Sequence, residues 1–329
     1  MRSMNMAGSF LRAGLAACCL AACTASAQDS RAYPLKPSRL VVPFPPGGGT
    51  DLLARAVAQG LSQRWGQQVI VDNRPGAATN IGTEFVARAA PDGYTMLMAS
   101  VGHAANVSLY QQLGYHPVKS FEMVTLVAVS PSLLVVTPSL PVKSVKELIA
   151  LAKRRPGELN YGSFGGGTSP HLSAELFNIL AAVKMAHVPY KGSGPALTSV
   201  MSGETQVLFA TILSGLPIVE AGRLRALGVA SAQRLAALPQ LPTVAETVPS
   251  FESGSWYGIM LPAGTPRAVV DKVHQDAVAV LRQPEVRKRF ESEGAQIIAS
   301  TPGELKAYLE AEIARWARVV KESGIRAGS

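Results

Sequence analysis

The stretch VVPFPPGGGTDLLARAV, residues 41–57, joins the end of an apolar strand to an amphipathic helix through a loop rich in proline and glycine. The loop carries no lysine, arginine or histidine. Free N–H groups at the start of a helix carry partial positive charge, and glycine lets a ligand approach them without a Cβ in the way. The stretch therefore predicts a strand, a loop and a helix that bind an anion through the main chain.

A second loop, in YGSFGGGTSPHLSAE at residues 161–175, repeats the order of strand, glycines, hydroxyl residue and helix. Thr50 and Ser169 are the predicted N-caps of the two helices. In open α/β sheets ligands lie beyond the carboxyl ends of the strands, so we expect the two helix starts to face one another across a cleft. The pair predicts a site for a small molecule with two anionic ends. The alternative is that both are ordinary strand-to-helix turns, in which glycine is common.

Short apolar runs alternate with amphipathic helical patterns along the whole chain, from strand Arg39–Phe44 and helix Asp51–Trp65 to the last helix, Pro302–Ser323. Ser144 and Glu147 form a predicted capping box at the start of another helix. Alternating strands and helices predict an α/β fold with parallel sheets covered on both faces. The length of 329 residues favours two lobes over one very large sheet.

The charge balance points to small anions rather than to nucleic acid. The net charge is +9 and the sequence pI about 9.6, but the basic residues are scattered along predicted helices. A surface of this kind attracts anionic small molecules without forming a nucleic-acid stripe. We therefore expect no nucleic-acid partner.

The first 27 residues have the features of an export signal. A basic segment, Met1–Arg12, precedes an apolar segment, Ala13–Ala22, and the cleavage pattern Ala-Ser-Ala ends at Ala27. Leu20–Cys23 also resembles a lipoprotein cleavage site, so lipid anchoring at Cys23 is the alternative to a free periplasmic protein. The free form is favoured because the Ala-Ser-Ala site is well placed.

All three cysteines of the chain, Cys18, Cys19 and Cys23, lie in this leader. A mature chain that starts at Gln28 would have none, which excludes disulfides, thiolate metal sites and a cysteine nucleophile. No later segment has the 18 or more apolar residues of a membrane-spanning helix.

Motifs of catalysis are absent from the sequence. There is no G-x-S-x-G elbow, no H-E-x-x-H pair and no Walker loop, and the histidines show no metal-ligand spacing. His103 follows a strand and is expected to line the cleft. His171 is a candidate base or ligand contact, although a histidine there more often packs at the helix start or bonds nearby backbone. An exported enzyme that acts on a carboxylate stays as an alternative.

The chain resembles the Bug-type extracytoplasmic solute receptors of tripartite tricarboxylate transporters from about Tyr33 to Arg326. The resemblance is carried by YPLKPSRLVVPFPPGGGTDLLAR, VIVDNRPGAATNIGTEFVARAAPDGYTMLMAS, LPVKSVKELIALAKRRPGELNYGS, HVPYKGSGPALT and WYGIMLPAGTPRAVVDKV, in that order.

This resemblance implies a two-lobe type II periplasmic-binding-protein fold with a ligand cleft between the lobes. After the signal peptide, residues 1–27, domain 1 would comprise residues 28–125 and 230–329, and domain 2 residues 126–229. The resemblance also implies a periplasmic, monomeric receptor without cofactor or metal. Such a receptor binds a dicarboxylate, tricarboxylate, acidic amino acid or aromatic acid for membrane transporter subunits. A sensor that presents the same ligand to a membrane kinase is a further alternative.

The resemblance carries ligand binding over to thirteen residues of this sequence. They are Phe44, Gly47, Gly48, Thr50, Asp51, Ser100, His103, Ser163, Gly165, Thr168, Ser169, Tyr190 and Gly192. One departure bears on the ligand: many members have an acid and an asparagine where this chain has Ala210 and Thr211. The missing acid argues against an amino-acid ligand, because an ammonium group would have no partner there.

Overall fold

The computed structural model describes residues 33–326; the predicted signal peptide, with its cysteines, lies outside the described residues. The strands are β1 (Ser38–Val42), β2 (Val69–Asn73), β3 (Thr95–Ala99), β4 (Phe121–Val136), β5 (Asn160–Ser163), β6 (Ala186–Pro189), β7 (Val207–Thr211), β8 (Arg225–Val229), β9 (Gly254–Pro262) and β10 (Gln296–Ile297). The helices are α1 (Gly49–Trp65), α2 (Asn80–Ala87), α3 (Val101–Leu109), α4 (Val145–Arg154), α5 (Ser169–Leu180), α6 (Ser193–Ser202), α7 (Ile212–Glu220), α8 (Arg267–Leu281), α9 (Pro284–Ser292) and α10 (Pro302–Ser323).

The strands form one curled sheet in the order β2-β1-β3-β9-β4-β7-β5-β6, with β8 and β10 also paired to β4. Strand β4 pairs with β9 along Phe121–Pro131 and with β7 along Ser132–Val136. We call the strands on the β9 side of this change of partner the first half-sheet, and those on the β7 side the second half-sheet. The domain boundaries drawn from the sequence stay a prediction.

Strand direction differs from the parallel sheets that the sequence predicts. β1 is parallel to β2 and β3, and β5 is parallel to β6 and β7, as expected. The prediction is wrong for β9, which is antiparallel to β3 and β4, and for β4, which is antiparallel to β7 and β8. Hydrophobic periodicity marks a strand but carries no information on its direction, so these reversals left no signal in the sequence.

Apolar clusters cover both faces of the second half-sheet. Leu134 and Val136 belong to a core with Phe177 and Phe209. Leu133 and Val135 belong to a separate core under α6. Successive side chains of a strand point to opposite faces, so one stretch of β4 serves both cores. The first half-sheet has its own core, around Trp256 and Trp316.

Helix α5 packs against both halves. Phe177 enters the core of the second half, whereas Leu172 enters that of the first. Ser169 Oγ donates to the carbonyl oxygen of Gly254 at 2.8 Å, and Ser173 Oγ lies 2.5 Å from Ser253 Oγ. The helix is therefore fastened to the segment that leads into β9, where the chain returns to the first half.

The chain passes between the half-sheets at three adjacent backbone segments. The Ser132 N–H donates to the Ser253 carbonyl at 3.0 Å, the Ala230 N–H to Ser132 at 2.8 Å and the Ser253 N–H to Ala230 at 2.9 Å. Pro131, which lacks an N–H, sits at this crossing opposite Gly254. None of the helices within residues 33–326 combines the length and apolar character needed to span a bilayer.

We predict that Gly254→Ala destabilises the protein at this crossing. A Cβ on Gly254 would lie 2.3 Å from the Ser130 carbonyl oxygen and 2.8 Å from Pro131 Cα, and neither backbone atom can rotate away. Overpacking of this kind costs about 1–3 kcal/mol. The loss is measured by urea unfolding. The control is Gly303→Ala, whose Cβ would meet nothing within 4 Å and should leave stability within about 0.5 kcal/mol. Equal midpoints for the two variants would contradict the expected crowding.

Candidate functional site

Five helices begin around one small cavity of about 20 Å³. Residues from the starts of α1, α3, α5, α6 and α7 contribute to its lining, together with one residue of β9. The lining consists of Phe44, Pro45, Gly48, Gly49, Thr50, Ser100, Phe164, Thr168, Ser169, Pro170, Ser193, Thr211 and Ser255. We call this space the inner cavity. None of the residues that the structure describes on its lining has a charged side chain, so the main chain and hydroxyl groups supply its polarity.

The helix starts at the inner cavity lack side-chain caps. The N-caps of α1, α3, α5, α6 and α7 are Gly48, Ser100, Thr168, Gly192 and Thr211, and none of these five accepts a capping bond in the structure. Ser144 of α4 and Thr301 of α10, which lie away from the inner cavity, each accept the N–H three residues on, whereas α2, α8 and α9 also begin without a side-chain cap. An uncapped helix start keeps N–H groups available for a ligand.

Two N-cap hydroxyl groups are engaged elsewhere. Thr168 Oγ1 donates to the Gly165 carbonyl at 2.6 Å. Thr211 Oγ1 lies 2.7 Å from Ser214 Oγ. Thr168 and Thr211 could therefore cap their helices, but their hydroxyl groups bond to other atoms instead. The sequence placed the N-caps at Thr50 and Ser169, and this is wrong by two residues and by one, because each helix starts earlier than predicted.

A larger space of about 440 Å³, which we call the outer cavity, adjoins the inner cavity. Phe44, Pro45, Phe164 and Thr168 belong to both linings. The outer cavity is otherwise lined by Pro43, Pro75, Gly76, Ala77, Ala78, Thr79, Gly165, Tyr190, Lys191 and Gly192. Lys191 is the one charged side chain that the structure describes on these two linings. A molecule with an anionic end and an apolar body fits a polar inner end and an apolar outer wall.

The two half-sheets meet at the cleft. A Cβ on Gly48 would lie 3.1 Å from Ser193 Oγ, and one on Gly49 would lie 3.1 Å from both Thr211 Oγ1 and Tyr257 Oη. The helix starts of opposite halves therefore stand within van der Waals distance. Because glycine has no side chain, the main chain at Gly48 and Gly49 is the surface that contacts the second half.

Asp51 fixes the first glycine loop without lining either cavity. Its buried carboxylate accepts the Gly47 N–H at 2.9 Å, Arg55 Nε at 2.8 Å and Asn73 Nδ2 at 2.9 Å. Burial raises the pKa of Asp51, but these hydrogen bonds and the charge of Arg55 outweigh burial, so the pKa is below its ordinary value. The ionised carboxylate fixes the loop, Arg55 balances its charge and Asn73 supplies a further hydrogen bond.

A strained turn forms the far wall of the outer cavity. Ala77, Ala78 and Thr79 have φ angles of 45°, 51° and 85°, in the left-handed region that residues with a Cβ rarely adopt. Asn106 Nδ2 holds the turn by donating to the Ala78 carbonyl at 2.6 Å and to Asn80 Oδ1 at 2.8 Å. Three consecutive strained residues at a cavity wall are typical of a ligand clamp.

His103 lies behind the cleft, away from both linings. Its Nε2 is 2.8 Å from the Pro117 carbonyl, and its ring packs on Tyr115 and Phe121 at centroid distances of 5.6 Å and 5.1 Å. Burial lowers the pKa of His103 to about 4, against the opposing effect of Pro117. The structure therefore places this side chain in the core under α3.

Nine of the thirteen residues proposed from the sequence line the two cavities. They are Phe44, Gly48, Thr50, Ser100, Gly165, Thr168, Ser169, Tyr190 and Gly192. Gly47, Asp51, Ser163 and His103 do not. The first three shape the glycine loops, since Gly47 bonds Asp51 and Ser163 Oγ accepts the Gly165 N–H at 3.1 Å. Direct ligand contact stays a prediction for all thirteen.

Sequence reasoning missed several residues of the linings. Phe164, Ser193, Thr211 and Ser255 line the inner cavity, and residues 75–79 line the outer one. Ser193 and Thr211 also stand where a strand leads into a helix, but without a run of three glycines to mark them. Ser255 lies within β9, away from any junction of a strand and a helix, so no sequence pattern marks it. Among the described residues, no group of three or more His, Cys, Asp or Glu side chains is placed to hold a metal ion.

A family model described as the tripartite tricarboxylate transporter family receptor matches residues 53–325. The chain is 36% identical over 317 residues to a UPF0065 protein of Pseudomonas sp. (strain P51). This match covers 95% of this chain and 94% of the relative. It is also 36% identical over 297 residues to the protein BugT of Bordetella pertussis, with 89% and 91% covered.

Three solved structures are also similar to this chain over most of its length. A protein of R. palustris solved with adipate has a TM-score of 0.87 and 40% identity, covering 89% of this chain and 99% of that one. MatC of Rhodopseudomonas palustris, with bound malate, has a TM-score of 0.83 and 32% identity, covering 88% and 100%. BugD, described as a periplasmic binding protein, has a TM-score of 0.85 and 33% identity, covering 89% and 99%.

Fold and site together define a solute-binding protein with the two-lobe type II fold, whose cleft is built from helix starts. The chain belongs to the tripartite tricarboxylate transporter receptor family, as a Bug-type member. The family resemblance of the sequence is thereby confirmed.

We predict that Asp51→Asn weakens the fold at neutral pH and less so in acid. The variant keeps the shape but loses a charged acceptor, which costs about 1.5–3 kcal/mol. Because the folded pKa of Asp51 is depressed, its stabilisation is complete above the ordinary value of 3.8 and is lost as pH falls below it. Urea unfolding at pH 7 and pH 3 measures the difference.

The control for this measurement is Asp271→Asn on α8. Asp271 also pairs with an arginine four residues away, Arg267, but both side chains are exposed. Exposed pairs contribute about 0.5 kcal/mol or less. A loss at Asp51 no larger than that at Asp271, or one independent of pH, would show that Asp51 does not anchor the loop as an ion.

Proposed function

We propose that the protein is a periplasmic receptor that captures a small organic carboxylate between its half-sheets and presents it to the membrane subunits of a tripartite tricarboxylate transporter. The observation that carries this proposal is the convergence of five uncapped helix starts on one cavity without charged side chains. Each helix start favours an anion by about 0.3–2 kcal/mol. Family relatives solved with adipate and with malate support the same ligand class.

The linings also favour an acid that carries no amino group. No carboxylate side chain is among the residues that the structure describes around the two cavities, so an ammonium group would be buried without a counter-charge. Ala210 and Thr211 stand where many relatives have an acid and an asparagine, and Thr211 lies on the inner lining. We therefore propose a plain carboxylic acid as the ligand rather than an amino acid.

We propose that the protein binds without catalysis. Family members are solute receptors, and the residues that the structure describes on the inner lining present hydroxyl groups and backbone but no histidine or carboxylate side chain. Proton transfer in a transition state needs a positioned acid or base of suitable pKa. Turnover of a bound acid by the purified protein would contradict this part of the proposal.

We predict that adipate or malate raises the midpoint of thermal unfolding by about 5 °C or more at a hundredfold excess over Kd. The diamine of the same chain length as adipate should give no shift, because helix starts repel cations. Differential scanning fluorimetry measures both. Stabilisation by the diamine or by sugars, with none by any mono-, di- or tricarboxylate, would contradict the proposed function.

Gly48→Val tests whether the helix start of α1 does the binding. The side chain would enter the space between Gly48 and Ser193 and cover the N–H groups there. We expect the acid-induced shift to disappear while the unliganded protein stays folded. Gly303→Val, at a position with open space, is the control and should keep the full shift. A cleft indifferent to Gly48→Val would instead indicate a scaffold that binds no acid at this site.

A further inference from the structure

Three rings are stacked beneath the second glycine loop. His171 and His187 have ring centroids 3.9 Å apart with planes inclined by 7°, and Tyr161 lies 5.1 Å from His187 with planes inclined by 22°. Tyr161 and His171 are buried, and His187 is partly buried. A pair of titratable rings in face-to-face contact inside the protein is unusual, because a charge on either ring disfavours one on the other.

His171 pins the second loop through its ring. The Gly167 N–H donates to His171 Nδ1 at 2.9 Å. A backbone N–H can only donate, so Nδ1 must be unprotonated and the ring in its neutral form. A proton on Nδ1 would face the N–H and break the bond.

The position of His171 in α5 explains why a histidine accepts this hydrogen bond. It is the third residue of the helix, where capping boxes usually place a glutamate or glutamine that reaches back to the chain before the helix. Helix α10 has the usual arrangement, in which Glu304 accepts the Thr301 N–H. At the start of α1 the third residue is a carboxylate, Asp51, whose charge is balanced by Arg55. No arginine or lysine pairs with residue 171 among the described residues, so a glutamate there would leave an unbalanced negative charge beside the ligand. A neutral imidazole supplies the same acceptor without the charge.

The second ring supports a second bond of the loop. His187 Nε2 lies 2.6 Å from Ser163 Oγ, and Ser163 Oγ accepts the Gly165 N–H at 3.1 Å. Two alternate amides of the loop, those of Gly165 and Gly167, are therefore turned away from the ligand. This fixes the loop so that Thr168 and Ser169, which line the inner cavity, face the cleft.

Resting on the proposed function, we propose that His171 is a positioning residue of the binding site. As a neutral acceptor stacked on His187, it holds the second loop in its binding shape without placing a negative charge beside the bound acid. Protonation of the ring releases the Gly167 N–H and loosens the loop, so acid weakens ligand binding through His171.

The direction of this pH effect follows from the groups around the ring. They are His187 from β6, Tyr161 from β5 and Glu175 one turn along α5, whose carboxylate accepts the Tyr161 hydroxyl. Burial first, and then His187, lower the pKa of His171 from 6.5 to about 3. The neutral ring therefore stabilises the intact loop fully above pH 6.5, and this stabilisation is lost as pH falls from there towards 3.

Three variants separate the acceptor from the charge, with adipate as the probe. His171→Asn keeps an acceptor near the position of Nδ1 but does not titrate, and should bind within about threefold of wild type. His171→Asp has the same shape with a negative charge and should bind about tenfold more weakly. His171→Leu has no acceptor and should also lose about tenfold. His116→Asn is the control: it is exposed, and its Nδ1 also accepts backbone N–H groups.

The pH profile distinguishes positioning from a purely structural role. Wild type and His116→Asn should lose affinity for adipate as pH falls from 6.5 towards 3, the interval over which His171 becomes protonated, and His171→Asn should lose less. Protonation of adipate itself is common to all variants, so the ratio between them is the readout. Equal profiles for wild type and His171→Asn, or equal affinities for His171→Asn and His171→Asp, would overturn the proposal.

Hydrogen exchange provides a measurement that needs no ligand. In the full-length protein, the amides of residues 163–169 should exchange faster in His171→Leu than in wild type, with His171→Asn close to wild type. Unchanged exchange in His171→Leu would overturn the proposal even if no acid binds. Conversely, an absence of thermal shift in wild type with every acid would defeat the proposed function, while the exchange result still decides the role of His171.

Discussion

An anion site without charged side chains depends on one constraint: the N–H groups at the helix starts must stay free of protein partners until a ligand arrives. Most helices satisfy these groups with a capping side chain or with water. Around the inner cavity, the N-cap residues are two glycines and three hydroxyl residues, and the hydroxyls of Thr168 and Thr211 are bonded elsewhere. The unpaired groups are a cost to the empty protein that a bound acid would remove.

The groups that hold the two glycine loops sit outside the linings of the cavities. Asp51 accepts the Gly47 N–H, Ser163 that of Gly165 and His171 that of Gly167. Each bond uses an amide close to the cleft-facing helix start, so the loop is rigid while the helix start stays open. Rigidity before binding reduces the ordering entropy that a ligand must overcome. The strained turn at Ala77–Thr79, on the outer wall, is likewise held by a residue outside the linings, since Asn106 donates to the Ala78 carbonyl.

The sequence predicted the two glycine loops and nearly every strand and helix, because periodicity and turn residues are local signals. It missed α3, where Val101–Asn106 are all buried, so no polar face exists to produce a helical pattern. The apolar pattern predicts two strands, residues 121–129 and 133–137, whereas the structure has one strand, β4, which passes from one half-sheet to the other at Pro131. The sequence could not find Ser193, Thr211 or Ser255, since their convergence depends on strand order, which sequence spacing does not encode.

The position of β9 has a consequence for how the chain acquires its structure. The second half-sheet is made from the contiguous segment between Ser132 and Val229, so its pairings are local enough to form early. The first half-sheet has β9 between β3 and β4, and its centre is missing until residues 254–262 are available. Distant pairings of this kind slow folding. A newly made chain should therefore stay incompletely folded until its last quarter is synthesised.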